Sequence, residues 1–385
     1  MTKVLQIPNY MYPHIGGIEQ VGRDIADSLS TCKDIEQKII CFNGDAKDGD
    51  YVCNQQETVM DIVDGIEVVR CGVIKKVSSQ SLSVTYRKEL KKIMNEFKPD
   101  IVIFHYPNPF VTALLEHYYN RQFKLIVYWH LDITKQKILG KLFHPQTIRL
   151  LNRADKVIAT SPNYIVGSAY LNKYKNKCEV IPNCIRPERL AENDETNNKI
   201  EEIRNKHKGK TICYAVGRHV EYKGIEYLIK ASGYLDDSFV ILIGGKGPLT
   251  NELKDMAKDD NKIEFLGRVD EKDMVAYYKA CDIFCFPSIT KNEAFGIALA
   301  EAMYFGKPAV TFNICGSGVN YVNLNNKTGI ECENKNSKEF ANAIEKLKKN
   351  NVLREQYGKN AKERVINNFL YNKFTQNIKE LIENI

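Results

Sequence analysis

Residues 291–301 read KNEAFGIALAE, with Glu293 and Glu301 at the ends of a stretch that turns apolar at Ala294. Paired carboxylates do general acid–base and glycosidic chemistry, but acids also cap and flank helices. A helix starting near Phe295 or Gly296 leaves Glu293 in the preceding loop, and its first N–H groups form an anion site of their own. Glu301 then lies roughly two turns on, which puts the carboxylates about 12 Å apart. A retaining glycosidase needs its pair at about 5 Å. The wider spacing suits two ends of one elongated ligand, with a capping role for Glu293 still open.

Other chemistry-bearing residues follow apolar runs. After TICYAVG comes RHVEYKG, which places Arg218 and Lys223 just past a strand end. An Arg fork and a Lys point charge there suit a diphosphate. After KVLQIP come Gly16 and Gly17, where backbone N–H groups can approach an anion, although a tight turn explains them equally well. No G-x-G-x-x-G fingerprint occurs there. His130 follows FKLIVYW and can donate or accept a hydrogen bond; a purely structural histidine is the plainer reading. Asp132 reads as a helix cap, and HYPNP (105–109) is a further strand-end loop with polar groups.

These positions imply the elements that carry them. KVLQIP, KIICF, GIEVVRC, DIVIFH, FKLIVYWH, KVIAT and EVIPN read as strands, with a turn signal at Asp64-Gly65. Ile18, Val21, Ile25 and Leu29 make a helical stripe, and RKELKKIMNEF is a basic amphipathic helix stopped by Pro99. A second series follows the polar stretch 191–199, AENDETNNK, which has the composition of a surface segment near a linker: TICYAVG, FVILIGG, IEFLG, IFCFPS and PAVTF. NKFTQNIKELIENI reads as a last helix. Near-continuous apolar strands alternating with helices predict parallel sheets covered on both faces, in two doubly wound domains. Such sheets bind ligands beyond their carboxyl ends.

The chain has 385 residues and a formal net charge of +7, with 43% hydrophobic and 27% charged residues. No run approaches the ~18 apolar residues of a spanning helix, and the start shows no signal-peptide core. The eleven cysteines are scattered and read as reduced thiols of a cytoplasmic protein. Cys281 and Cys285 lack a second pair for a zinc site. Residues 1–70 hold 6 Lys+Arg against 12 Asp+Glu, whereas 71–190 hold 20 against 8. That basic block can face phosphates, an anionic membrane or simply solvent. Tyr86, Phe97 and Tyr106 are not interleaved with it as a nucleic-acid binder requires.

Taken together, these residues resemble glycosyltransferase family 4. The E-x7-E element lies at Glu293 and Glu301, G-R-x4-K at Gly217, Arg218 and Lys223, and the glycine loop at Gly16-Gly17 with Glu19. A bacterial subgroup that builds O-antigen, capsule or exopolysaccharide is resembled at Gly16–Gln20, His105–Pro109, His130–Gln136 and Gly316–Asn323. The resemblance spans nearly the whole chain. It implies an α/β GT-B fold, two Rossmann-like doubly wound parallel-sheet domains facing a cleft. The expected division is 1–185 on the acceptor side, 186–370 for the nucleotide sugar, and a helix 371–385 crossing back to the first domain. One departure is the hinge, usually I-P-N-G-I-D and here IPNCIRP, with Cys184 and Arg186.

By resemblance, Arg218 and Lys223 hold the donor diphosphate with backbone groups of Phe295, Gly296 and Ile297. Gly16 and Gly17 lie against the phosphates, Glu301 binds ribose, and Glu293 and His130 contact the sugar. Arg268 and Val269 flank the base, and His105, Asn108 and Asp132 fall on the acceptor side. The implied reaction is retaining transfer of a hexosyl group from a UDP- or GDP-sugar to a lipid-linked saccharide. No cofactor or metal is expected, and no Asp-x-Asp follows a strand. Peripheral contact with an anionic membrane would use RKELKKIMNEFK and KQKILGKLF. Two rivals are a sugar-nucleotide epimerase of the same fold and a non-catalytic sugar-nucleotide-binding subunit. The retained Glu293, Arg218 and Lys223 argue against the second.

Overall fold

The computed structural model describes the chain except residue 15 and the segments 45–53, 78–79 and 134–136, and it gives 137–142 as backbone only. The chain separates into two compact units. Unit 1 comprises Met1–Thr160, Ser168–Ile181 and Asn372–Ile385; unit 2 comprises Ser161–Gly167 and Pro182–Tyr371. The division expected at 185/186 therefore falls at 181/182, and a short excursion at 161–167 belongs with the second unit.

The strands of unit 1 are β1 (Thr2–Ile7), β2 (Ile35–Phe42), β3 (Val59–Val63), β4 (Ile66–Cys71), β5 (Lys75–Val77), β6 (Gln80–Leu82), β7 (Ile101–Tyr106), β8 (Lys124–Trp129), β9 (Lys156–Ala159) and β10 (Cys178–Val180). Eight of them form one sheet in the order β10-β9-β8-β7-β1-β2-β4-β3, and β5 pairs with β6 separately. All residues of β7 are buried, as an apolar run covered on both faces requires. The sheet is not wholly parallel. β3 runs antiparallel to β4 through a turn in which Asp64 and Gly65 both take positive φ, of 50° and 83°. Its alternation was hidden because Met60 and Ile62, on the exposed face, are themselves apolar.

Unit 2 contains β11 (Thr211–Val216), β12 (Phe239–Gly244), β13 (Ile263–Gly267), β14 (Ile283–Phe286), β15 (Ala309–Phe312) and β16 (Gly329–Cys332). All pairs are parallel, in the order β13-β12-β11-β14-β15-β16. The sequence series lacked β16, whose four residues, GIEC, carry little apolar signal. The polar stretch 191–199 is not an open linker. Asn193 caps the helix Asp194–Lys206 by accepting from Thr196 N at 2.8 Å, and Asp194 and Glu195 occupy its positive first turn. At the altered hinge, Cys184 is buried and Ile185 bridges to Leu370. Arg186 lies 4.0 Å over the Tyr371 ring, so its charge is used in a cation–π contact.

One buried cation fixes the loop that leaves β1. Arg70, on β4, is 2% exposed. Its Nε donates to Asp61 at 3.0 Å, and its other nitrogens donate to the carbonyls of Met11 at 3.3 Å and Tyr12 at 2.5 Å. Replacing it leaves two carbonyls and a carboxylate unsatisfied. Arg70→Met should therefore lower unit 1 stability by about 3 kcal/mol. Trp129 is the single tryptophan and lies buried in unit 1, so its fluorescence during urea unfolding reads that unit. An unchanged midpoint would remove this role from Arg70.

Candidate active site

In unit 2 the strand order reverses between β11 and β14, so the chain leaves their carboxyl ends in opposite directions and leaves a crevice there. Two loops meet at that point. Gly224 takes φ +61°, and a Cβ on it would sit 2.1 Å from Pro287 O. Ile289 N donates to Tyr222 O at 2.9 Å. This backbone contact brings the short turn Glu221–Lys223 beside the loop that follows β14.

Lys223 and Glu293 form an ion pair there, with side chains only 16% and 12% exposed. Ser288 Oγ donates to the same Glu293 oxygen at 3.1 Å. The Lys223 ammonium is 5.1 Å from the Phe286 ring centroid and 5.5 Å from that of Tyr222. Burial pushes the Lys223 pKa down, but the Glu293 carboxylate and Tyr222 outweigh it and leave the value raised. The ammonium therefore stays charged at neutral pH. Arg218 is exposed, close enough to influence Tyr222.

The helix expected from Phe295 or Gly296 runs Ile297–Tyr304, with Gly296 as its N-cap at φ +93°. No side chain caps it, so its first N–H groups are available to an anion. A Cβ at Gly296 would meet the Phe286 ring at 3.1 Å. The Phe295 ring is buried against Phe369, which leaves its backbone as the part that can serve a ligand. Ser317 Oγ donates to Glu293 O at 2.5 Å, and a Cβ on Gly318 would fall 1.9 Å from Ala294 O. About one turn into the helix, Glu301 accepts from Tyr278 OH at 2.8 Å. Burial raises the Glu301 pKa, with the Tyr278 hydrogen bond opposing it.

Sequence reasoning missed several neighbours. Ser288 and Tyr222 complete the ion pair's surroundings. The stretch GGKG after β12 presses against the loop after β11: a Cβ on Gly245, at φ +116°, would lie 1.9 Å from Gly217 O, and one on Gly247 2.4 Å from His219 O. His219 is fully buried, with Nδ1 3.0 Å from Thr250 Oγ1. Glycines spaced G-G-x-G after an apolar strand were the available signal. Arg268 is exposed and Val269 half-buried past β13, with a Val269 methyl 3.0 Å from the position of a Cβ on Gly244.

Unit 1 places its expected residues differently. The helix Gly17–Ser30 starts at Gly16, whose extended backbone has φ −176°. The Glu19 carboxylate folds over Gly16, 2.2 Å from where a Cβ would be. His105 Nδ1 lies 2.8 Å from His130 Nε2, and both rings stack near Tyr128. The three residues expected on the acceptor side have partners within unit 1. His105 is 1% exposed, with both ring nitrogens committed, to His130 and to Gln6. Asn108 caps the helix Pro109–Leu115 by accepting from Val111 N at 3.0 Å, and its amide donates to Asn9. Asp132 is 3% exposed and accepts from Trp129 Nε1 at 3.0 Å and Ser168 Oγ at 2.7 Å. Each of these side chains is thus hydrogen-bonded within unit 1. Of the segment 130–136, residues 134–136 lie outside the described residues.

Residues 15–189 match the family described as Glycosyltransferase Family 4, and 196–364 match Glycosyl transferases group 1. D-rhamnosyltransferase WbpZ of Pseudomonas aeruginosa is 30% identical over 358 residues, 92% of this chain and 88% of that protein. O-antigen chain mannosyltransferase C of Escherichia coli is 27% identical, over 94% of this chain and 93% of that one. The chain belongs to glycosyltransferase family 4. Its fold is GT-B: HepE from Anabaena, solved in complex with UDP and glucose, superposes with a TM-score of 0.78 at 18% identity, covering all of both chains. Sucrose-phosphate synthase from Thermosynechococcus elongatus gives 0.79 at 17% identity, covering 100% of this chain and 99% of that one.

In this glycosyltransferase Glu301 is a carboxylate kept partly buried at a cost to stability. Its folded pKa lies above the unfolded value, so folding takes up protons and stability falls as pH rises from the normal glutamate range through the folded pKa. Glu301→Gln keeps the Tyr278 hydrogen bond and removes the buried charge. At pH 7 it should raise stability by about 1 kcal/mol, or roughly 2–4 °C in Tm. A lower Tm in differential scanning calorimetry would contradict this.

Proposed function

We propose that this transferase moves a hexosyl group, with retention of configuration, from a nucleoside-diphosphate sugar to a lipid-linked saccharide in bacterial surface-polysaccharide synthesis. The observation that carries this is the charged cluster at the strand-order reversal of unit 2, Lys223 with Glu293 and Ser288, beside the uncapped helix start at Gly296. A cation held charged and free N–H groups pointing out of a crevice are what a departing diphosphate needs, because preorganised donors stabilise charge as it develops.

In this reading Lys223 exchanges part of its contact with Glu293 for a phosphate oxygen, and Arg218 adds a second cation. The backbone of Phe295, Gly296 and Ile297 meets the diphosphate from the helix start. Glu301 binds ribose, Arg268 and Val269 flank the base, and Gly16 and Gly17 approach the phosphates, with the Glu19 carboxylate moving aside. Glu293 and His130 contact the sugar. Unit 2 is the donor side and unit 1 the acceptor side. Charge is handled by side chains and backbone, so the reaction is written without a metal. O-antigen assembly is favoured because two relatives matched over most of their length are a D-rhamnosyltransferase and an O-antigen chain mannosyltransferase. Both UDP- and GDP-sugars remain in the reading, and the site is cytoplasmic.

A thermal-shift screen with UDP, GDP and dTDP and their sugars should single out one base. A ligand at 100 times its Kd stabilises by about 2.7 kcal/mol. Lys223→Ala should remove that shift, and an intact shift would overturn the diphosphate assignment. With the matched donor, the anomeric coupling of the product should keep the donor's configuration, and inversion would end the retaining reading.

The lipid-linked acceptor agrees with the helix Tyr86–Glu96. Leu90, Ile93 and Met94 are buried, whereas Arg87, Lys88, Lys91 and Lys92 are exposed. The second basic stretch, 135–143, falls almost wholly outside the described side chains. Each exposed cation near an anionic surface contributes about 1 kcal/mol. Co-sedimentation with phosphatidylglycerol vesicles should fall with added salt and with Lys88→Glu/Lys91→Glu. Binding equal to that of neutral vesicles would exclude the surface.

A further inference from the structure

Three polar side chains line up under the loops of unit 1 on adjacent strands. Gln6 is on β1, His105 on β7, and His130 directly follows β8. Gln6 Nε2 lies 2.9 Å from Gly22 O and 3.0 Å from His105 Nε2. His105 Nδ1 lies 2.8 Å from His130 Nε2. Gln6, His105 and His130 are 1%, 1% and 6% exposed.

The polarity of this line follows from its first member. Gly22 O can only accept, so the Gln6 atom facing it is the amide nitrogen, and its second N–H donates to His105 Nε2. That ring atom therefore carries no proton, and the His105 proton sits on Nδ1, which donates to His130 Nε2. His130 then carries its own proton on Nδ1. Burial agrees with neutral rings: it lowers the His105 pKa to about 3 and that of His130 well below the usual range, His105 adding to the second shift.

We infer that Gln6 and His105 are positioning residues that hold His130 as a neutral imidazole whose Nδ1–H has no hydrogen-bond partner among the described residues, so that it serves a ligand oxygen as a hydrogen-bond donor. Nε2 is occupied, so His130 does not act as a base through that atom. The ligand contact rests on the assignment of His130 to the donor sugar made above; the tautomer rests on unit 1 alone. The group His130 accepts as partner is therefore a hydroxyl or another oxygen acceptor on the sugar.

Nitrogen-15 NMR of the full chain with labelled histidine reads the tautomer directly. His130 should show a protonated Nδ1 and an unprotonated Nε2 at neutral pH. A proton on Nε2, or a charged ring, would overturn the inference. Gln6→Glu replaces a donor with a group that only accepts, so both rings should switch tautomer, and kcat/KM should fall about 10- to 100-fold. An unchanged tautomer in that variant would also overturn it. His105→Gln can still accept from Gln6 and donate to His130, so it should keep the His130 Nδ1–H and most activity, whereas His105→Phe should lose both. This pair and the wild-type spectrum decide the matter even if Gln6→Glu fails to fold. A switched tautomer with unchanged kcat/KM would leave the relay standing and remove His130 from the donor sugar.

Discussion

Parallel strands must be joined by crossovers, and where a sheet is wound both ways the crossovers on either side of one strand pair lie on opposite faces. In unit 2 that pair is β11 and β14. The loops leaving them have no helix directly above, so they can be lined by residues chosen for chemistry. The cost is that two loops and a third segment share a small space. The closeness is visible at Gly224 against Pro287 O, Gly245 against Gly217 O, and Gly318 against Ala294 O, each near 2 Å for an added Cβ. A side chain at any of these would push the two touching segments apart, and at Gly224 those segments are the ones that lead to Lys223 and Glu293.

The two clusters treat buried polarity in opposite ways. In unit 2 the cluster is charged: an ammonium and a carboxylate, with a serine hydroxyl on the shared oxygen. Partial exposure of 16% and 12% lowers the desolvation cost of the pair. In unit 1 the line Gln6–His105–His130 is neutral and almost fully enclosed. Desolvation removes charge from both imidazoles, so the line has direction without net charge. One cluster is charged and partly open to solvent, and the other is neutral and enclosed.

Much of the fold was legible, because hydrophobic periodicity is local. The strand runs, the basic helix and the helix start at Gly296 could be read from a few residues each. β3 was not, since its exposed face carries Met60 and Ile62 where polar residues would have shown the alternation. β16 was too short and mixed. In the site, Arg218, Lys223 and Glu293 stood out because cations and an acid directly follow apolar strands. His105, Asn108 and Asp132 stood out for the same reason, yet their polar atoms turn inward to His130, Val111 N and Trp129. Residue type after a strand announces a loop with polar work to do, and does not say whether that work is done for a ligand or for the loop.

What the sequence determined by itself is the alternation of strand and helix, the polar character of each strand end, and the family, through motifs whose order and spacing survive in one dimension. Only the tertiary structure decided which strand ends are neighbours. Lys223 and Glu293 are 70 residues apart, and Gln6 and His105 are 99 apart. Their meeting depends on strand order and register, which are set by packing across the whole sheet rather than by any local pattern. The direction of the histidine line was fixed in the same way, by a single carbonyl, Gly22 O, that can only accept.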